Sequence, residues 1–505
     1  MRESSGKGVR KDVRPSWKTQ TTPLRLRVLA VASVLFSAVV VAGVLLASAR
    51  WAPRASQRQL MPLLGAYMAL VFLRWPPLGL AALIAASLVV PFAIGTGTQT
   101  SLNVTVLLLF LLIGLWLFDM VVRQRQVKLL PSRPVPPLLA LVLVATLAFI
   151  AGQLPWFIFA QGASLQSQAG GLAVFWLSAS AFLLVAHQVR HLRWLQRLTW
   201  LFLALGALYV AGRLVPGLGR FTRRLFQGGS TGSLFWVWLV ALAFSQVVFN
   251  RDLRLRWRLA LAGLVIATFW VGWQGRGWAS GWMPGLVAVL VILWLRSGWL
   301  GGLATAILVM GVLLSNPALP AQLVIEDQYS IDTRLAAWQI VLREVVRVNP
   351  LLGLGPSNYY HYMPLFSILG WYVKFSAHNQ YVDLVAQTGL LGLACFLWFA
   401  WEVGRLGWRL RTQVPDGFAR AYVCGALGGL VGTLGAGMLA DWILPFVYNI
   451  TLSGMRASVL GWIFLGGLMS LEQMSKGQGN RDDRGKGTGE QGGREVKGQG
   501  DKETL

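Results

Sequence analysis

Apolar runs of 18 residues and more recur along this chain, separated by short segments rich in Lys and Arg. A run of that length leaves no polar face, so it cannot be the amphipathic helix or strand of a soluble core and reads as a helix crossing a bilayer. In lipid every backbone N–H and C=O needs a partner within the protein, which leaves helices or a closed barrel. The runs are continuous rather than alternating, so the expected fold class is an all-α polytopic membrane protein with about 12–14 transmembrane helices. Composition agrees: the chain is 55% hydrophobic and 13% charged, where soluble domains carry about 25% charged residues.

The runs divide the chain into five segments: a basic tail at 1–27, a first bundle at 28–314, a long polar loop at 315–382, a second group of spans at 383–471, and a tail at 472–505. The last segment is rich in Gly, Lys, Gln, Asp and Glu without apolar periodicity and is expected to be disordered. Ala47-Ser48-Ala49 resembles a cleavage site, but the long run before it favours an uncleaved anchor. Positive residues favour the cytoplasmic side of short loops. Arg123, Arg125 and Lys128, then Arg251, Arg254, Arg256 and Arg258, then Arg405, Arg409 and Arg411 fall on one side. That side is read as cytoplasmic, with both termini there and the loop 315–382 on the extracytoplasmic face of the cytoplasmic membrane. Two clusters, Arg50, Arg54, Arg58 and Arg220, Arg223, Arg224, fall outside against this rule; contact with headgroups is their simplest role.

The net charge of +26 would suit nucleic acid, but the cations lie between spans, where they set orientation and meet anionic lipid. No nucleic-acid partner is expected. The 24 tryptophans fit membrane interfaces. Cys395 and Cys424 lie within apolar runs and make no disulfide framework. Acidic residues on the outer side are scattered, with no metal-ligand spacing, so no metal and no cofactor are expected.

Chemistry is sought in the long loop, because long loops on a rigid scaffold tend to carry function. Arg334 to Val348 reads as an amphipathic helix with Leu335, Trp338, Leu342 and Val345 on one face, Asp332 as N-cap and Asn349-Pro350 as its stop. Leu351-Leu352-Gly353-Leu354-Gly355-Pro356 reads as a tight turn. The chain re-enters the membrane at Ala377-His378-Asn379, and in a continuous helix Gly389 and Gly392 would lie near the face that carries His378. His187 and His191 read as surface residues of a cytoplasmic loop, and His361 as interfacial among tyrosines. Arg276 stands at the outer mouth of two spans, where a charge is costly. Two guanidiniums, Arg276 and Arg334, with the imidazole of His378 suit a phosphate leaving group and a hydroxyl nucleophile.

These residues resemble the O-antigen ligase family. His378-Asn379, followed after nine residues by Gly389-Leu390-Leu391-Gly392, is similar to its His-Asn … Gly-x-x-Gly pattern. Pro350-Leu351-Leu352-Gly353-Leu354-Gly355-Pro356 resembles its Pro-Leu-x-Gly-x-Gly-Pro element, and Arg334 with Trp338 its Arg-x-x-x-Trp step. Arg276-Gly277 resembles its Ser-Arg-Gly step, with Gly275 where the family has Ser. The resemblance implies a metal-independent membrane glycosyltransferase. Its donor would be undecaprenyl-diphosphate-linked glycan, and its acceptor a hydroxyl of a glycan, glycolipid or protein. It further implies His378 as catalytic base and Arg276 and Arg334 as diphosphate binders. A repeat-unit polymerase of the same family is the near alternative. A lipid or glycan transporter or flippase is the distant one, and the absence of an internal repeat speaks against it.

Overall fold

The computed structural model describes residues 65–95, 101–226, 232–275, 279–315 and 328–492. The chain divides into two compact units, Met1–Leu70 and Val71–Leu505. Only 65–70 of the first lie among the described residues, and every element beyond Arg74 belongs to the second. The expected first span at 28–49, the basic tail before it, the cluster Arg50, Arg54 and Arg58, and Arg276 lie outside the described residues.

The protein is an all-α polytopic membrane protein. A first helix ends at Arg74 (α1, Gly65–Arg74). After it come α2 (Pro76–Val89), α3 (Val104–Phe118), α4 (Val135–Ala151), α5 (Leu165–Gln188), α6 (Leu192–Leu214), α7 (Pro216–Leu225), α8 (Ser233–Phe249) and α9 (Leu255–Gln274). The chain continues through α10 (Ala279–Trp282), α11 (Pro284–Arg296), α12 (Gly298–Ser315), α13 (Gln328–Ile340), α14 (Tyr359–Tyr362), α15 (Gln380–Gln413), α16 (Phe418–Leu439) and α17 (Met455–Gly492). Among the described residues, seven helical segments are long and apolar enough to cross a membrane, and others are apolar but shorter. The one sheet among the described residues is a small antiparallel ladder, β1 (Ala93–Gly95) with β2 (Ser101–Asn103). It delivers Asn103 to the start of α3, where its side chain accepts from the N–H of Val106 and donates to the carbonyl of Leu452 at 2.7 Å.

The core is centred on α8, buried along nearly its whole length against α16, α11 and α17. The sequence permits this because α16 is lined with small residues. A Cβ on Gly428 would sit 2.8 Å from the carbonyl of Ala288, and one on Gly429 2.7 Å from the ring of Trp238. Close backbone approach of this kind holds helices together where lipid removes the hydrophobic drive between them.

The segment between α13 and α15 builds the region around His378. The helix expected from Arg334 begins earlier, at Gln328, so Asp332 lies inside it and is not its N-cap. It passes through a π-helical turn at Val341–Val345 and stops at Asn349. The extra residue of that turn rotates the buried stripe. Ala337, Val341 and Val345 face inward, while Leu335 and Leu342 are half exposed, which corrects the stripe expected from spacing.

The helix α15 is broken at Gly389, whose φ of 67° and ψ of −171° interrupt it. A break leaves carbonyls without partners before it and N–H groups without partners after it, at a depth where lipid supplies none. The turn 350–355 supplies both. Leu354 N–H donates to Ala386 O at 2.9 Å and Gly355 N–H to Gln387 O at 3.1 Å. Pro350 O accepts from Leu390 N–H at 2.8 Å and Leu351 O from Leu391 N–H at 3.3 Å. Gly353, at φ 66°, brings the turn close enough that a Cβ there would lie 2.7 Å from Ala386 O. Two of the sequence motifs are therefore halves of one backbone splice. The expectation that His378, Gly389 and Gly392 share a continuous helical face is corrected: the helix begins after His378 and breaks at Gly389.

The final helix also differs from expectation. It runs on to Gly492, and Glu472, the first acid of the expected tail, is buried between Arg409 at 2.7 Å and Lys476 at 3.0 Å. The reading of 472 onward as wholly unstructured is therefore corrected at its start.

Candidate functional site

His378 occupies the junction between the long loop and α15. Its φ of 47° places it in the left-handed region, a conformation that persists in a non-glycine residue only when its surroundings hold it there. The surroundings are specific on both sides. The carbonyl of Ala377 accepts from the indole N–H of Trp338 at 2.6 Å, and the Ala377 N–H donates to the hydroxyl of Tyr359 at 3.1 Å. That hydroxyl in turn donates to the carboxylate of Asp383, one turn into α15. On the other side, the Asn379 side chain caps α15 by accepting from the N–H groups of Tyr381 and Val382 and donates to Met438 O at 3.2 Å. Asn379 rather than His378 is thus the capping residue, and the imidazole is left to other uses.

The imidazole itself makes no hydrogen bond among the described residues. It meets the ring of Phe375 at 5.3 Å and the field of Arg334. Burial first, and the nearby Arg334 cation second, lower its pKa from 6.5 to about 4. The side chain is therefore neutral at physiological pH, with a nitrogen able to accept a proton.

Arg334 projects from α13 toward the C-terminus of α16, where its guanidinium donates to Leu439 O at 3.3 Å. With Asn379 on Met438 O, the last carbonyls of α16 are satisfied by two residues of this region. Burial lowers the pKa of Arg334, so a partly desolvated cation lies near enough for its charge to act on a neutral imidazole. Such a cation attracts an oxyanion more strongly than a hydrated one does.

Of the residues singled out from sequence, Arg334, Trp338, Asn379 and His378 meet at one place, and Pro350, Gly353, Gly355 and Gly389 form the splice beneath it. Gly392 is buried one turn beyond the break. Asp441 does not bond His378; its carboxylate accepts from Phe446 N–H at 2.6 Å and from the Asn449 amide, shaping the turn after α16. His361 lies in an aromatic nest with Tyr360 and Tyr448. His187, expected at the surface, is partly buried: its Nε2 accepts from Leu130 N–H at 3.1 Å.

Sequence reading missed Tyr359 and Asn358. Asn358 donates to Gly152 O and Leu354 O and accepts from Ala163 N–H, tying the turn to α4 and to the segment before α5. The only sequence signal for either was proximity to the Gly-x-Gly-Pro element.

A search of curated proteins finds no match to the chain. Residues 224–397 match the family model described as O-antigen ligase. The matched stretch includes Arg276, Arg334, the turn 350–356, His378, Gly389 and Gly392, and ends before Asp441. Over this stretch, about a third of the chain, the protein is similar to the O-antigen ligase family, which is one of membrane enzymes that transfer glycan.

Proposed function

We propose that the protein transfers glycan from an undecaprenyl-diphosphate-linked donor to an acceptor hydroxyl, with His378 as general base and Arg334 and Arg276 binding the diphosphate. The acceptor oxygen attacks the anomeric carbon as its proton passes to His378. The bond from that carbon to the phosphate oxygen breaks, and the lipid diphosphate leaves with the negative charge. Attack opposite the leaving group inverts the anomeric centre. A neutral imidazole suits the first role, and a partly desolvated guanidinium suits the second. Arg276 joins them by the family resemblance alone.

The observation that carries this reading is the juxtaposition of Arg334 with a left-handed, unbonded His378. We place the site on the extracytoplasmic face of the cytoplasmic membrane, with both termini in the cytoplasm. The acceptor is a glycan, glycolipid or protein hydroxyl, and a repeat-unit polymerase differs only in that acceptor.

The test is purified protein in detergent, given lipid-linked glycan and candidate acceptors in excess chelator. Glycan moved to an acceptor with release of lipid diphosphate is the expected result. Movement of intact donor across vesicles without bond cleavage would indicate a transporter instead. Activity that needs added magnesium or manganese would reject the metal-free mechanism.

A further inference from the structure

A second built site lies at the opposite end of α15. Arg405 lies 16 residues after the break at Gly389, which at ~1.5 Å per residue places it roughly 24 Å beyond that break. There α11, α15 and α16 enclose a groove of about 1080 Å³. Its walls are apolar, from Val291 and Leu295 on α11, Leu397 on α15, and Leu427 and Val431 on α16. Its mouth is polar, with Arg133, Glu402, Arg405 and Arg409 beside Trp401 and Trp408.

The mouth charges are not equivalent. Arg409 is committed to Glu472 at 2.7 Å. Arg405 is half exposed and only loosely paired with Glu402 at 3.5 Å, and Arg133 is exposed. Glu402 is 8% exposed, yet its Oε2 has no hydrogen-bond partner among the described residues. A buried carboxylate oxygen left unsatisfied is costly and points to a missing donor. The groove therefore asks for an apolar chain, an anionic group for Arg133 and Arg405, and a hydrogen-bond donor for Glu402.

We propose that this groove binds a phospholipid with an anionic, hydroxylated headgroup, such as phosphatidylglycerol. Its phosphate pairs with Arg133 and Arg405, a headgroup hydroxyl donates to Glu402, and an acyl chain lies between α15 and α16. Arg133, Arg405 and Glu402 together leave one positive charge, which an anionic lipid cancels and a zwitterionic one does not. Basic pockets between spans and tryptophans at the interface are the expected surroundings of such a headgroup. The groove is open because position 404 is glycine: a Cβ there would meet only Leu430 Cδ2, at an ordinary 3.7 Å. A larger side chain at 404 would fill the acyl path without displacing backbone.

The test is lipid binding to the full-length protein in detergent, read by native mass spectrometry and by thermal stabilisation. The probes are phosphatidylglycerol, phosphatidylethanolamine and phosphatidylcholine with matched chains. Phosphatidylglycerol should bind best. Arg133→Gln and Arg405→Gln should each weaken it roughly tenfold, the scale of one charge-assisted hydrogen bond, and should narrow its advantage over zwitterionic phosphatidylcholine. Gly404→Leu should weaken all three lipids, and size-exclusion behaviour like that of the parent shows that it folds. Equal binding of the three lipids, preference for phosphatidylethanolamine, or undiminished phosphatidylglycerol binding by folded Gly404→Leu would each overturn the proposal. Arg133→Gln is at an exposed position and keeps the headgroup test available if Gly404→Leu does not fold.

Discussion

The indole N–H of Trp338 donates to the carbonyl of Ala377 at 2.6 Å, so the helix that carries Arg334 also fixes the residue before His378. One turn of α13 separates the two side chains: Trp338 holds the junction at which α15 begins, and Arg334 reaches the end of α16, to which Asn379 also donates. The placement of the base relative to the cation is thereby set by one rigid element.

Trp338→Phe removes that donor and keeps most of the ring. The Ala377 carbonyl then loses its partner, and the left-handed His378 loses one of its two clamps. We expect turnover to fall by roughly tenfold to a hundredfold, since small misplacements of reacting groups carry costs of that order. Membrane abundance should stay near that of the parent, and donor affinity should change little. The measurements are kcat, donor KM and protein level in the same membranes. Unchanged kcat would mean that the junction is held without the indole.

Tyr359→Phe tests the other clamp. The hydroxyl joins the Ala377 N–H to the Asp383 carboxylate, and all three groups are fully or nearly fully buried. Its removal orphans a donor and an acceptor together, each costing ~1–3 kcal/mol. A lowered midpoint of thermal unfolding in detergent is expected, with a larger loss than for Tyr372→Phe at an exposed position of the same loop. A midpoint unchanged from the parent would show that water or rearrangement replaces the hydroxyl.

Gly389→Ala should be among the most damaging single substitutions in the protein. A Cβ there would run into the carbonyl of Leu351, and φ is 67°. Gly370→Ala is the control, because its φ is 91° but nothing lies within 4 Å of the added carbon. The control should cost ~1–2 kcal/mol of backbone strain, whereas Gly389→Ala should abolish folded protein on size exclusion. Similar behaviour of the two would mean that the splice can open without loss.

How far these features were legible from sequence depended on what carried them. Long apolar runs specify helices in lipid almost by themselves, so α5, α6, α9 and α16 could be anticipated from hydropathy. His378, Arg334 and Trp338 were visible as residue types at a polar interruption. Their mutual contacts were not, because they arise from chain crossings between positions 338, 359, 377 and 439. Gly389 was legible as a glycine but its place in a continuous helix was misread. Spacing suggested a continuous helical face shared with His378, while the break at Gly389 exists only because a turn 35 residues earlier supplies the missing hydrogen bonds. The shifted stripe of α13 had the same origin: a π-helical turn leaves no mark in periodicity.

The pH dependence of transfer is set by the environment of His378. A base must be unprotonated, and burial with the Arg334 cation holds the imidazole neutral down to about pH 4. Because the pKa is lowered, the competent form persists below pH 6.5 and is lost only as pH approaches 4. The acid limb of kcat/KM, which reports the free enzyme, should therefore lie well below 6.5. A bound diphosphate opposes the Arg334 field, so the acid limb of kcat should lie higher than that of kcat/KM. An acid limb of kcat/KM at or above 6.5 that disappears in His378→Gln would contradict this environment for the working base.

Arg334 has two roles to separate. Its guanidinium donates to Leu439 O at the end of α16, where a cation is favoured by the helix dipole and by unpaired carbonyls. It also stands beside His378 with its hydration reduced. A purely structural cap predicts that Arg334→Ala lowers thermal stability while folded molecules keep their affinity for lipid diphosphate. A diphosphate ligand predicts that affinity falls whether or not stability does. Arg334→Lys sharpens the distinction, because lysine keeps the charge and can still reach a carbonyl but lacks the planar fork that binds two phosphate oxygens at once. The expected outcome is near-parental stability for Arg334→Lys, with inhibition by undecaprenyl diphosphate weakened by roughly tenfold and turnover reduced. Arg334→Ala should weaken inhibition further, by about a hundredfold, the scale of a lost charge-assisted pair of hydrogen bonds. The measurements are the inhibition constant of undecaprenyl diphosphate and the unfolding midpoint of each variant in one detergent. If both variants keep the parental inhibition constant while their midpoints fall, Arg334 serves α16 alone, and the charge of the leaving group is met elsewhere.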